Sequence, residues 1–285
     1  MRRIVSSLIG LTLLCVSASA TAATRHHHRR SHLIAGMPAL RSSSVLVVDE
    51  STSSVLLSKK SDAVIPIASI TKLMTALVVL DAGQSTDELL TLTRADRQVG
   101  RGGNSRLPTG AALSRGDLIH LALMSSENRA AFVLGSHYPG GLAACVTAMN
   151  AKAKALGMTH SRFADPTGLS AQNMASPEDL SKLVIAASQN SLIRHYSTDD
   201  RHSVMVGRHR LEFRNTDNLV ANPNWNIVVQ KTGYTVDAGR CLVMKAIIED
   251  RPIVIVLLDS YGKYTRIADA RRIRDWIHLR ANERV

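Results

Sequence analysis

The sequence predicts an α+β fold in which one antiparallel sheet is built from both ends of the chain and an all-helical lobe is inserted between them. Three observations carry that expectation. Strand-like runs at 45–48 and 55–57 flank a polar turn, and β-rich runs return only near the other end, at 227–229, 241–248 and 253–258. Between the two sets, apolar residues recur with the helical period. The third is a stripe of Ile267, Ile273, Trp276 and Ile277, which marks 264–279 as an amphipathic helix that packs on the sheet. A cleft belongs where sheet and lobe meet.

Taken in order, residues 1–23 read as a signal peptide. Arg2 and Arg3 form a basic start, an apolar run follows, and Ala18, Ala20, Ala22 and Ala23 offer small-residue cleavage sites. The apolar run falls short of a spanning helix and no later run reaches the required length, so no stable membrane anchor is expected. Residues 24–42, with His26, His27, His28 and His32, read as a basic His-rich linker. Residues 43–285 then form a single domain whose helical lobe covers about 68–200. Within the lobe, Ile70, Leu73, Met74, Leu77 and Val78 follow one helix face, and Ser114 with Asp117 forms a capping box. Helices are also expected at 143–156 and 177–188.

Composition narrows the function classes. The chain has 285 residues, 45% hydrophobic and 20% charged, with a net charge of +12 but only 4% aromatic residues. So few stacking platforms argue against a binder of single-stranded nucleic acid, and the basic excess reads as attraction to anionic surroundings, with no nucleic-acid partner expected. Cleavage after Ala23 removes two arginines and no acid, so that excess survives export. Cys145 and Cys241 show no zinc or redox spacing and read as two buried thiols, with a single bridge as the alternative.

Chemistry is concentrated in three short motifs. Ser69-Ile70-Thr71-Lys72 opens the first long helix, and its spacing places a hydroxyl and an amine on one face, a nucleophile beside a base. A free lysine has a pKa of about 10.4, so making it half neutral at pH 7 takes about 4.6 kcal/mol of differential stabilisation. A dry cleft, a second cation and the positive end of a helix all act in that direction. Ser126-Glu127-Asn128 falls in a break between two helices, and Lys231-Thr232-Gly233 lies on a strand that can edge the cleft. Each motif alone is weak: Ser260 with Lys263, and Ser188 with Asn190, match the same patterns. Their order and context together are specific.

With its wider strings 66–75, 123–131, 165–169 and 231–235, the chain resembles the serine penicillin-binding enzymes. The closest likeness is to the low-molecular-mass D-alanyl-D-alanine peptidases and, among them, the endopeptidase branch. The resemblance spans about 43–277. It implies a β-lactamase/transpeptidase-like fold and a periplasmic serine endopeptidase that hydrolyses peptide cross-links in peptidoglycan, with β-lactam antibiotics as covalent inhibitors. The catalytic residues would be Ser69 as nucleophile, Lys72 as base and Ser126 as proton relay. Asn128, Lys231, Thr232, Gly233 and Tyr234 would bind substrate, and the backbone N–H groups of Ser69 and Tyr234 would form the oxyanion hole. None of these steps calls for a metal or other cofactor.

Departures from relatives bear on the reading. Glu178 sits in a Pro-Glu-Asp-Leu-Ser setting at a helix start, unlike the deacylating glutamate of class A β-lactamases, so rapid β-lactam hydrolysis is not expected. The β-rich second domain and C-terminal anchor of many D,D-carboxypeptidases find no counterpart before Val285. Residues 102–107 are either a cleft-lining substrate loop or a surface turn. The nearest alternative activity is a serine carboxypeptidase removing terminal D-alanine. A more remote one is a non-catalytic β-lactam sensor, which normally carries a membrane signalling segment.

Overall fold

A computed structural model describes residues 36–98 and 105–282, so the signal peptide, most of the linker and the tip of the 102–107 loop lie outside the described residues. In chain order it contains β1 (Ser42–Asp49), β2 (Ser54–Lys59), β3 (Ile65–Pro66), α1 (Thr71–Asp81), β4 (Leu89–Thr91), β5 (Ala112–Ser114), α2 (Arg115–Met124), α3 (Asn128–Ser136) and α4 (Gly141–Ala155). There follow β6 (Met174–Ala175), α5 (Pro177–Gln189), α6 (Ser191–Thr198), β7 (Arg201–Val206), β8 (His209–Arg214), β9 (Asn226–Thr235), β10 (Gly239–Ile248), β11 (Arg251–Ser260) and α7 (Thr265–Asn282).

Five strands form the main sheet in the order β2-β1-β11-β10-β9, with every neighbouring pair antiparallel. Strand alternation divides the core. Leu46, Val254, Val256 and Leu258 face the helical lobe, whereas Val45, Val47, Ile253, Ile255 and Leu257 face α7. Against that second face α7 buries Ala270, Ile273, Trp276 and Ile277; each large apolar side chain so covered contributes about 1.5–3 kcal/mol. Asp269 fastens the two chain ends, its carboxylate accepting from the Ser42 N–H and hydroxyl, both at 2.7 Å, and from Arg272 at 2.6 Å.

The lobe is built around α1, which is buried from Thr71 to Val79 and therefore has no solvent face. Its neighbours begin where the sequence places them: the Ser114 hydroxyl caps α2 by accepting from Asp117 N–H at 3.0 Å, and Ser176 caps α5 in the same way. Three two-stranded ladders, β3–β6, β4–β5 and β7–β8, trim the helices. These ladders and α6 were not anticipated; β3 to β6 have only two or three residues, too few to show a period, and the six-residue β7 and β8 are rich in His and Arg rather than in strand-forming apolar residues. Both described cysteines are free and buried, which removes the single-bridge alternative, and burial pushes their thiols up to about 11 for Cys145 and about 12 for Cys241.

An aromatic stack ties the β7–β8 hairpin to the lobe. The His120 ring lies 4.0 Å from that of His202 and 4.4 Å from that of Tyr196. His202 bonds Asp117 at 2.8 Å, and His120 lies 3.1 Å from Asp199. Burial, then repulsion from His202 and His195, drives the His120 pKa down to about 3. The unfolded chain therefore takes up a proton that the folded one refuses, so this contribution to stability is complete above about pH 6.5 and is lost as pH falls towards 3. Thermal melts should show His120→Phe losing less Tm than wild type between pH 7 and pH 4.5; parallel losses would contradict this account.

Candidate active site

Ser69 lies in a single 3-10 turn, Ala68–Ile70, immediately before α1. The turn is held in an unusual shape: Ala68 has φ 48°, in the left-handed region, and Gly168 at φ 81° packs so closely that a Cβ there would stand 2.0 Å from the Ala68 carbonyl oxygen. Both the dihedral and the contact require glycine at 168. Across the cleft, β9 is the edge strand of the main sheet, and a Cβ on Gly233 would come within 3.2 Å of the Ser69 backbone nitrogen. The edge backbone thus lies directly against the serine.

Lys72, one turn into the helix, is fully buried and makes three hydrogen bonds, to Ser69 Oγ at 2.8 Å, Asn128 Oδ1 at 2.7 Å and the Thr167 carbonyl at 2.6 Å. A neutral amine has two N–H groups and one lone pair. With Asn128 and Thr167 accepting the two N–H bonds, the lone pair is left facing the serine hydroxyl, which then donates to it. Burial lowers the Lys72 pKa to about 7, against the opposing pull of Glu127 and Asp165. The loop that supplies the Thr167 carbonyl is organised by Asp165, whose carboxylate accepts from Thr167, Gly168 and Ser170 N–H and from Asn173 Nδ2 at 2.6–2.9 Å. Burial raises the Asp165 pKa, but these bonds outweigh it and hold the carboxyl ionised.

The remaining motif residues converge on the same place. A cleft of about 240 Å³ is lined by Ser69, Ser126, Asn128, Thr232, Gly233 and Tyr234, joined by Thr216 and Arg266. Ser126 adopts φ 61°, a strained backbone at the α2–α3 break. Among the described residues no hydrogen bond ties its hydroxyl to Lys72 or Lys231. Lys231 is placed beneath the cleft floor, fully buried, with its ammonium donating to the Thr232 carbonyl at 2.9 Å. Burial, and then Lys72 and Arg266, hold its pKa well below the ordinary lysine value. Burial is the largest cause for both lysines, and the repulsion between them acts on the pair in the same direction.

Three contributors had no sequence signal. Arg266, at the start of α7, reaches the cleft with Nε and Nη1 buried and without partners among the described residues, a guanidinium available to an anionic ligand. Asp217 lies beneath it; burial raises its pKa to about 6 despite Leu219 N–H, Arg266 and Lys231. Thr216 bonds the Thr232 hydroxyl at 2.6 Å, carrying the β8 end into the site. Glu178 lies in the first turn of α5 and accepts from Ser61 Oγ at 2.8 Å; it is not among the cleft-lining residues. In the 102–107 loop, Arg106 stacks 4.0 Å over Phe213.

A helical lobe, an antiparallel sheet edge and a serine bonded to a buried lysine between them define a serine-type acyl-transfer peptidase of the penicillin-binding class. Comparison with known proteins narrows this. Residues 31–262 match the model of the S11 peptidase family, described as D-alanyl-D-alanine carboxypeptidase, and the chain belongs to that family. It is 49% identical over 245 residues to the D-alanyl-D-alanine endopeptidase of Escherichia coli K12, covering 85% of this chain and 79% of the relative. It is also 49% identical over 249 residues to that of Pseudomonas aeruginosa, covering 85% and 80%. Among solved structures, a penicillin-binding protein homologue from Mycobacterium tuberculosis superposes with a TM-score of 0.77 at 26% identity, over 86% of this chain and 94% of that one. The Streptomyces K15 DD-transpeptidase shares the fold at a TM-score of 0.79, over 85% and 98%.

Two outcomes follow. The rate of acylation by penicillin should rise with pH and level off above a midpoint near Lys72's pKa of about 7. Glu127→Gln, which removes the charge that favours the ammonium, should move that midpoint to lower pH; a midpoint that stays put would assign the titration to another group. Lys72→Ala should acylate about 100-fold more slowly or worse, with circular dichroism unchanged.

Proposed function

We propose that this serine D-alanyl-D-alanine peptidase acts in the periplasm as an endopeptidase on peptidoglycan, cleaving the peptide cross-links between neighbouring strands. The observation that carries the reading is the Ser69–Lys72–Asn128 hydrogen-bonded set in a cleft open along the β9 edge. Support for the endopeptidase choice comes from two relatives of that name at 49% identity. Among the described residues no helix is long and apolar enough to cross a membrane.

In this mechanism the donor peptide lies along β9, and its D-alanyl carbonyl oxygen takes N–H bonds from Ser69 and Tyr234. Ser69 Oγ attacks the carbonyl carbon as its proton passes to Lys72. The C–N bond breaks, and the leaving amine of the second strand takes a proton by way of Ser126. Water then hydrolyses the ester, with Lys72 again the base, and releases a carboxylate and free Ser69. Asn128 holds the substrate amide, and Thr232 with Arg266, both lining the cleft, receives the carboxylate beside the scissile bond, while the buried Lys231 acts on it only through space. A β-lactam follows the first half of this path, but its leaving nitrogen remains tethered and the ester persists.

Purified protein given cross-linked muropeptide dimers should convert them to monomers. Release of D-alanine from monomeric pentapeptide with no dimer cleavage would instead establish the carboxypeptidase reading. Labelled penicillin should mark wild type and not Ser69→Ala; equal labelling would remove Ser69 as nucleophile.

A further inference from the structure

The cleft accounts for the bond that is cut and for the carboxylate next to it, but a cross-link continues beyond that carboxylate into a second peptide. A terminal D-alanine ends there. Around the α7 start, where Arg266 brings to the cleft a guanidinium whose Nε and Nη1 have no partner among the described residues, the surface has an unusual composition. Three of the chain's five tyrosines are exposed at this end of the sheet, Tyr234 at 56%, Tyr264 at 66% and Tyr261 at 92%. Exposed aromatics gathered beside a cleft mark a binding surface more often than an ordinary turn.

Cations are interleaved with them. Arg240 pairs in register with both Tyr234 on β9 and Ser260 on β11, and its guanidinium lies 4.3 Å over the Tyr234 ring. Lys263 lies 5.3 Å from the Tyr264 ring. Beyond the first turn of α7 is a second concavity of about 320 Å³, lined by Arg41, Lys263, Tyr264, Thr265, Ala268 and Arg272. Thr265 lines this concavity and the next residue, Arg266, lines the cleft, so the start of α7 borders both. Among the described residues Arg41, Arg240 and Lys263 form no ion pair, whereas Asp269 is engaged by Ser42 and Arg272.

We propose that the ledge running from Tyr234 and Arg240 to the Arg41–Lys263 concavity is a subsite for the leaving strand of the cross-link, an acidic peptide whose carboxylates it receives and whose backbone rests on the tyrosines. The proposal rests on the endopeptidase reading and gives it a physical basis: a second strand reaches the ledge, and a departing D-alanine does not. Charge contacts at such a rim act on capture of substrate and leave the bond-making step alone.

The test compares wild type, Arg41→Glu/Lys263→Glu and Arg240→Glu on three substrates: cross-linked dimer, monomeric pentapeptide and labelled penicillin. For the double variant, KM for dimer should rise about tenfold with kcat little changed. D-alanine release and penicillin acylation should match wild type, which also reports an intact fold. Arg240→Glu should raise the dimer KM in the same direction. A dimer with amidated carboxylates should bind all three proteins alike. Unchanged KM for dimer, or an equal loss on penicillin, overturns the ledge while leaving the endopeptidase reading in place. Wild type that cleaves no dimer overturns that reading first, and the ledge with it.

Discussion

The site depends on keeping one amine dry. Lys72 stands at the junction of three separately built pieces, the α1 start, the α3 start that carries Asn128, and the loop that presents the Thr167 carbonyl. Burial makes its charge unfavourable, while the two acceptors fix where its lone pair points. Neither effect suffices alone. An exposed lysine with the same neighbours stays protonated, and a buried one without them has no reason to face Ser69. The surrounding architecture serves this arrangement: an α1 with no solvent face, an Asp165 that spends its oxygens on loop N–H groups, and a Gly168 whose missing side chain lets the loop close on Ala68.

Much of this was legible in the sequence, for identifiable reasons. The β1–β2 hairpin and the long C-terminal strands are apolar, β-branched runs of strand length, α7 carries a narrow apolar stripe, and the Ser114–Asp117 cap is a local signal with a local cause. The Ser69/Lys72 pair is readable because one helical turn brings both groups to one face. Placing Lys231 on an edge strand followed from motif order, and the sheet order puts it there.

What escaped has equally definite causes. Arg266 is one of several arginines on an amphipathic helix, and nothing local distinguishes it from Arg271, Arg272 or Arg274; its importance comes from where the helix start meets β9, a tertiary fact. Thr216 lies between a hairpin and a loop, with no pattern to flag a partner 16 residues away. Lys231 was expected to act on Lys72 through space. It proved so deeply enclosed that desolvation is the largest cause for both lysines, with their mutual repulsion adding to it.

The pairing of β1 with β11 has a bearing on when the enzyme becomes active. Ser42 meets Ser260 at a sequence separation of 218, and that seam lies in the middle of the sheet. Contacts so distant in sequence are slow to form, because the chain must close a very long loop before they contribute. The lobe that bears Ser69 and Lys72 is complete in sequence long before β9, β10 and β11 exist. The β9 side of the cleft comes last. The growing chain therefore carries its nucleophile and base before the strand that walls the far side of the cleft, and the cleft is complete only once β9 has been added.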